Sequence, residues 1–315
     1  MKCLVTGGAG FIGSHLVDLL VDNNHTVTIV DNISTGNIKN VNHQQPYSNA
    51  ACSLYIADFA SEHVLTMIRE SKFDVVFHLA ATASVPYSVD HPVATNDNNV
   101  SKTLALLDAC RFGKVKKFVF SSSSAVYGNS REFPTTEFAA KKPMSPYALQ
   151  KSVIEEYCEL YQKLYGLESV CLRYFNVFGP RQAGSGAYAN VISGWCVNGI
   201  ASGRIRLDGN GEAFRDFVYV KDVAHVNLLA AMSDIKFGCY NVGSGVSIKI
   251  ADIFDWFSNL CMKNVEVIHT PTRPGDPAKT QASIEKTRLA FDFVPTKLDP
   301  ARLVETFTWY LENRQ

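Results

Sequence analysis

The sequence predicts an α/β fold built on a parallel sheet, and three observations carry that prediction. Short apolar runs alternate with stretches whose apolar residues recur at helical spacing. The first junction between two such stretches is a glycine-rich turn, Gly7-Gly-Ala-Gly-Phe-Ile-Gly13. The next apolar run ends in an acid, Asp31, eighteen residues after Gly13. At 315 residues, 46% hydrophobic and 19% charged, the chain can bury the core such a sheet requires.

The elements follow in order. Lys2-Cys-Leu-Val-Thr6 reads as a strand, and Ser14 to Val21 as the helix after the turn. The triplet Gly7-x-x-Gly10-x-x-Gly13 therefore sits where a dinucleotide fingerprint must sit. One glycine permits the turn. A second lets the main chain approach a pyrophosphate, whose charge is met by N–H groups at the helix start. The third permits close packing of helix on strand. Thr26 to Asp31 reads as the second strand. Its terminal acid can accept from both ribose hydroxyls and would repel a 2′-phosphate, which favours NAD over NADP.

Residues 34–51 read as a loop and Cys52 to Ala57 as a strand ending at Asp58, which could reach an adenine amino group or cap a loop. Asp74 to Ala81 reads as a fourth strand. His78 within it reads as a core histidine rather than a catalyst. A helix is expected over 94–112, with Asn96, Asn98 and Asn99 near its start, and a fifth strand over Val115 to Phe120. Pro146 suits a first helical turn, the helix runs to about Tyr165 with Gly166 as its cap, and Ser169 to Phe175 is the sixth strand.

The chemistry concentrates at Ser121-Ser-Ser-Ser124 and at Tyr147-Ala-Leu-Gln-Lys151. Four residues apart on a helix, the tyrosine and lysine share one face. Alone, that spacing also describes a solvated face. Beside a hydroxyl cluster, it describes a phenol that a nearby ammonium can help to act as a base.

Thirty basic residues balance thirty acidic ones, so charge does not argue for a nucleic-acid or membrane partner. No metal site is expected: the eight cysteines are scattered and none forms a Cys-x-x-Cys pair. They fit a reduced, cytoplasmic setting. The N-terminal run carries no signal-peptide pattern, and no apolar run is long enough to span a bilayer.

Taken together, these motifs resemble the extended short-chain dehydrogenase/reductases, in their nucleotide-sugar epimerase and dehydratase group. The matching stretches are Thr6 to Ser14, Asp31-Asn-Ile-Ser-Thr-Gly36, His78-Leu-Ala-Ala81, Ser121 to Gly128, Tyr147 to Lys151 and Arg173-Tyr-Phe-Asn-Val-Phe-Gly-Pro-Arg181. Arg215 to Asp222, Asn241-Val-Gly243 and Arg273-Pro-Gly-Asp276 extend the likeness over nearly the whole chain.

The resemblance implies a Rossmann-type, doubly wound sheet over residues 1–175 that binds NAD, with about 217–232 and the C-terminal helix returning to it. It implies that 176–315 is mostly a smaller lobe for a UDP-sugar. It places Gly7, Gly10, Phe11, Ile12, Gly13, Asp31, Asn32, Ser34, Thr35 and Gly36 at the cofactor. Asp58, Phe59, Leu79, Ala80, Ala81, Asn98, Ser121, Tyr147, Lys151 and Tyr174 join them, although Ser121 and Ser122 also read as simple strand-end caps. Tyr147 is implied as the base, with Lys151 lowering its pKa and Ser123 and Ser124 holding the sugar oxygen. Ser84, Asn176 as an amide donor to the diphosphate, the diphosphate arginines Arg215 and Arg273, Asp276 and Thr280 are implied on the substrate side.

Dehydratases of the group carry carboxylates just after the catalytic hydroxyl, where this chain has Ser124 and Ala125, so the resemblance favours 4-epimerisation. Thr280 stands at the position where a tyrosine would crowd a 2-N-acetyl group, which favours UDP-N-acetylglucosamine. The motif around Asn176 also looks like that of enzymes acting on this sugar, but Ala183 to Gly186 and Ser283 depart from the usual pattern. UDP-glucose or UDP-glucuronate 4-epimerisation, dehydration and a non-catalytic NAD sensor are the alternatives. Members of the group often form homodimers through a four-helix bundle. Here it would use residues 94–112 and 147–165, with Leu104, Leu107, Tyr157, Leu160, Tyr161 and Leu164 offering apolar surface or facing the sheet.

Overall fold

The computed structural model describes residues 1–41, 51–184, 190–260, 265–272 and 277–313. The first half runs β1 (Lys2–Thr6), α1 (Phe11–Asp22), β2 (Thr26–Asp31), β3 (Cys52–Ile56), α2 (Glu62–Glu70), β4 (Val75–His78), α3 (Val85–Asp90), α4 (Pro92–Asn96), α5 (Lys102–Phe112), β5 (Lys117–Ser123), α6 (Pro146–Tyr165) and β6 (Glu168–Tyr174). The second half runs β7 (Asn176–Phe178), α7 (Val191–Ser202), β8 (Arg204–Asp208), β9 (Phe214–Tyr219), α8 (Val220–Met232), β10 (Phe237–Val242), β11 (Ser247–Lys249), α9 (Ile250–Leu260), β12 (Glu266–Thr270), α10 (Glu285–Phe291) and α11 (Pro300–Glu312).

Seven strands form one sheet in the order β10-β6-β5-β4-β1-β2-β3. Every pairing in it is parallel. Alternate residues feed two cores, as the period of a strand requires. Leu4, Val30, Val76 and Phe118 face one side, with Leu65 of α2, Leu106 of α5 and Ile154 of α6. Cys3, Ile29, Phe77 and Val119 face the other, with Leu16 of α1 and Val223 of α8. The order reverses between β1 and β4. That switch point opens a crevice at the carboxyl ends of the strands, where ligands bind in such sheets.

Three local differences from the sequence reading have physical causes. The helix expected over 94–112 is split: α4 and α5 are joined by a π turn, Asp97–Ser101. Asn98 donates to Thr82 Oγ1 at 3.0 Å, and Asn99 accepts from Thr82 N–H at 2.8 Å, so two side chains tie the turn to the loop after β4. π turns often mark functional positions. β5 extends through Ser123 rather than stopping at Phe120, because Ser121, Ser122 and Ser123 continue its register against Leu172, Arg173 and Tyr174. β10 joins the large sheet beyond the 217–232 segment, with Tyr240 and Val242 buried against β6. The C-terminal helix α11 meets α7 and α9, placing Leu303 and Phe307 in the same core as Trp195 and Phe257.

β7, β9 and β11 form a small sheet, and β8 with β12 another. Asp216 of β9 is fully buried and holds this part together. Its carboxylate accepts from Ser244 N–H and hydroxyl, both at 2.7 Å, from Gly245 N–H at 3.1 Å and from Ala282 N–H at 2.9 Å. Burial pushes its pKa up to about 6 against those donors. No described helix is long and apolar enough to cross a membrane.

Candidate active site

A cavity of about 1410 Å³ opens at the switch point. Its first wall is the turn after β1. Gly7 has φ +71°, and a side chain there would meet the Ala80 nitrogen at 2.7 Å. A side chain on Gly13 would meet the Gly7 carbonyl at 2.1 Å, so only glycine lets α1 start against the strand. Gly10 precedes α1 with no side-chain cap and no acid in the first turn, leaving the positive end of the helix to the cavity. Gly10, Phe11, Ile12 and Gly13 line it.

Asp31 lines the same wall with Asn32, Ser34 and Thr35. Main-chain N–H groups of Ala9 at 3.0 Å and Ile33 at 2.8 Å, with that of Gly10 beside them, hold the Asp31 carboxylate. A carboxylate has about four acceptor sites, so capacity remains for a diol. Burial raises its pKa and the backbone donors oppose that. Leu79, Ala80, Ala81, Phe59 and Asn98 complete this end. These are the features an NAD-type dinucleotide needs: a close-approach turn, an open helix start and a fixed ribose acceptor.

Two expected cofactor residues, Asp58 and Gly36, stand beside lining residues without lining the cavity themselves: Ala57, Phe59 and Thr35 line it. Asp58 does not line the cavity. It accepts from Ala60 N–H at 2.9 Å and pairs with Lys102 at 2.7 Å, the loop-capping alternative. Gly36 packs under Asp31, where a side chain would meet the carboxylate at 2.9 Å.

The middle of the cavity brings together Ser121, Ser122, Ser123, Ser124, Tyr147, Lys151 and Tyr174. α6 delivers two of them. Ser145 caps its start by accepting from Ala148 N–H at 3.2 Å, Pro146 opens its first turn, and Gly166 ends it. Tyr147 is 9% exposed and Lys151 5%. Burial pushes the Tyr147 phenol up to about 12, and the Ser123 hydroxyl works the other way. The Lys151 ammonium donates to the Ser121 carbonyl at 2.7 Å and lies 5.8 Å from the centre of the Tyr147 ring. Burial lowers Lys151 to about 8, with Glu155 and Cys171 opposing.

Ser121 shares a hydrogen bond with the Tyr174 hydroxyl at 3.0 Å, and Ser122 donates to Glu155 at 2.6 Å. His78 is a core residue. It bridges the hydroxyls of Thr6 at 2.7 Å and Thr103 at 2.9 Å, and burial drives its pKa down to about 3.

Asn176, Arg215 and Thr280 line the far end. Asn176 spends both amide N–H groups inside the protein, on the Asp216 carbonyl at 3.1 Å and Thr280 Oγ1 at 3.2 Å. Both amide N–H groups are thus engaged within the protein in this structure. The Arg215 side chain donates to the Phe214 carbonyl at 2.8 Å. Ser84 does not line the cavity: it is buried and caps α3 by accepting from Tyr87 N–H at 3.2 Å. Arg273 and Asp276 lie outside the described residues.

Several further residues meet at the cavity. Arg181 and Gln182 line the cavity, and Arg181 pairs with Asp18 of α1 at 2.8 Å. Thr82 lines it too, holding Asn98 and Asn99. Nothing in the sequence signals these roles, because each depends on loops meeting across the fold. Asp31 is the only carboxylate among the described residues that line the cavity. Among the described residues, no cluster could hold a metal ion.

The solved structures similar to this chain match over its full length. A UDP-N-acetylglucosamine 4-epimerase from Methanobrevibacter ruminantium M1, in complex with UDP-N-acetylmuramic acid, is 39% identical with a TM-score of 0.93, covering 99% of this chain and 98% of its own. A UDP-glucose 4-epimerase from Thermotoga maritima with UDP-glucose is 34% identical with a TM-score of 0.92, covering all of both chains. A Thermus thermophilus UDP-glucose 4-epimerase in complex with NAD is 34% identical with a TM-score of 0.89, covering 99% of this chain and all of its own. Residues 3–243 match the NAD-dependent epimerase/dehydratase family, and with the turn, the acid and the Tyr147–Lys151 pair in one cavity, the chain belongs to that family.

Proposed function

We propose that this protein is a UDP-sugar 4-epimerase, with UDP-N-acetylglucosamine and UDP-N-acetylgalactosamine its favoured pair. The carrying observation is the composition of the cavity. Tyr147, Lys151 and Ser123 meet in it, and the one carboxylate among its described lining residues is Asp31, at the dinucleotide wall. Dehydration at C5 and C6 needs an acid and a base there. Inversion at C4 needs neither.

Bound in the cavity, NAD would supply a hydride acceptor and donor and, in its oxidised form, a positive charge. The chain's own residues manage the proton and the geometry. Tyr147 takes the proton of the sugar C4 hydroxyl and later returns it. Ser123, next to the phenol, holds the sugar oxygen, and Ser124 shares that task. Lys151 sets the end of β5 through the Ser121 carbonyl and adds positive charge to the buried site. Inversion requires the oxidised sugar to turn about its diphosphate link and present its other face, and a cavity of about 1410 Å³ leaves room. Arg215 and Arg273 neutralise the diphosphate. Asp276 accepts from the nucleoside ribose. Thr280 leaves space for a 2-N-acetyl group.

On this reading residues 1–175, with about 217–232, form the NAD unit that β10 joins, and most of 176–315 serves the UDP-sugar; the C-terminal helix, expected in the NAD unit, packs on α7 and α9. The protein is a cytoplasmic homodimer. Leu160, Leu164 and Tyr165 on α6 and Phe112 on α5 offer the apolar surface, each more than 40% exposed, whereas Leu107 faces the sheet.

The test incubates the protein with UDP-N-acetylglucosamine, UDP-glucose and UDP-glucuronate in turn, and reads products by proton NMR and mass. UDP-N-acetylgalactosamine at unchanged mass is the expected result. A product lighter by one water would overturn the proposal in favour of a dehydratase.

A further inference from the structure

Glu155 lies four residues beyond Lys151 on α6 and eight beyond Tyr147, which keeps all three near one face of the helix. Its side chain is 1% exposed. One carboxylate oxygen accepts from the Ser122 hydroxyl at 2.6 Å and from Arg173 Nε at 2.8 Å; the other accepts from Arg173 Nη2 at 2.7 Å. Ser122 and Arg173 are themselves register partners on β5 and β6. The neighbouring β5 residue, Ser121, accepts from Lys151 through its carbonyl at 2.7 Å. Two consecutive residues of β5 are thus tied to α6 by side chains one helical turn apart. The next residue is Ser123, whose hydroxyl meets Tyr147.

We propose that Glu155 is a positioning residue for the reaction: it pins the end of β5 to α6 at Ser122 and sets a negative charge against the buried ammonium of Lys151. The inference rests on the roles given above to Tyr147 and Lys151. It goes beyond packing, because a buried ion pair contributes little net stability compared with apolar side chains of the same size. The groups facing Lys151 are Tyr147 and Glu155 on α6, Cys171 on β6, His78 on β4, and the Phe120 ring of β5 at 4.7 Å. Glu155 is the first of the influences that oppose burial and hold the ammonium charged. Arg173 and Lys141, the latter 3.6 Å away, share the same carboxylate.

The test compares pH profiles of kcat in Glu155→Gln and Ser122→Ala with that of the unaltered enzyme. Glu155→Gln removes the charge, and the alkaline limb of its profile is expected to move down by about one pH unit. Ser122→Ala keeps the ion pair, so it folds. It is expected to lose roughly tenfold in kcat from misplacement of Ser123, with its alkaline limb unmoved and KM within about twofold. A folded Glu155→Gln enzyme with the original profile overturns the charge role. Ser122→Ala with the original kcat overturns the pin, and decides alone if Glu155→Gln yields no folded protein. Tyr147→Phe run alongside separates the two readings: full turnover in that variant would remove the base itself, whereas an inactive Tyr147→Phe beside unaffected Glu155 and Ser122 variants would remove only this inference.

Discussion

Lys151 is bonded to the main chain of β5, at 2.7 Å from the Ser121 carbonyl, and not to Tyr147, whose ring centre is 5.8 Å from the ammonium. Burial pushes the phenol up to about 12, and the lysine's hydrogen bond fixes the strand end beside it. Tyr147→Phe removes the hydroxyl and leaves the ring, the Lys151–Ser121 bond and the dinucleotide wall in place. Turnover should fall by roughly 10²–10⁴-fold, the usual worth of a positioned acid–base group. Bound NAD, measured by absorbance after denaturing extraction, should be unchanged. Retained turnover would remove Tyr147 from the mechanism.

Gly13→Ala tests the dinucleotide wall. Its added carbon would stand 2.1 Å from the Gly7 carbonyl and 2.8 Å from Gly8 Cα, both main-chain atoms that cannot swing aside. α1 must then back away from β1, and the helix start leaves the cavity. NAD retention should drop at least tenfold by equilibrium dialysis, a loss of about 1.4 kcal/mol in binding. Thermal stability should fall as well, because the same movement opens the core around Leu16 and Val17. Unchanged retention would mean that the pyrophosphate is held elsewhere.

Thr280→Tyr tests the substrate end. The Thr280 hydroxyl accepts from Asn176 and from Asp216 N–H, both at 3.2 Å, so the side chain is held at the cavity edge. A tyrosine fills the space beside Asn176 and strands those two donors. The ratio of kcat/KM for UDP-N-acetylglucosamine over UDP-glucose should fall roughly tenfold or more, the scale set by a steric pocket contact. A constant ratio would show that the acetamido group lies away from Thr280.

How far the sequence was legible follows from which contacts are local. Gly7, Gly13 and Asp31 could be read because a turn, a helix start and a strand end act within one short segment. Tyr147 and Lys151 could be read because a helix fixes their spacing. The alternation of apolar runs likewise gave the parallel sheet. The long-range bonds were out of reach. Asp58 pairs with Lys102 across 44 residues, and Asn176 meets Thr280 across 104, and neither contact has a local signal in the sequence. The hub Ser122–Glu155–Arg173 spans β5, α6 and β6, and no spacing in the sequence marks it. β5 looked shorter than it is because serine carries little strand signal, although its small side chain fits the pleat.

The last prediction concerns pH and His15 of α1. Its Nε2 donates to the Pro180 carbonyl at 3.0 Å, which joins the cofactor helix to the segment after β7. Burial, reinforced by nearby Arg181, depresses its pKa from 6.5 to about 4. The folded state therefore resists a proton that the unfolded chain accepts. His15 contributes stability that is complete above about pH 6.5 and declines as the pH falls from there toward 4, by up to about 1.4 kcal/mol per pH unit. Asp216, raised to about 6, works in the opposite direction over much of the same window, so the slope of the unaltered protein alone would not isolate the imidazole. His15→Gln keeps an amide donor for Pro180 and does not titrate, while Asp216 stays the same in both proteins. Urea unfolding at pH 7, 6 and 5 should show the original protein losing its advantage over His15→Gln by about 0.7 kcal/mol over the first unit and about 1.2 kcal/mol over the second. Parallel slopes would mean that the imidazole already takes its proton in the folded state, and that the contact with Pro180 survives its charging.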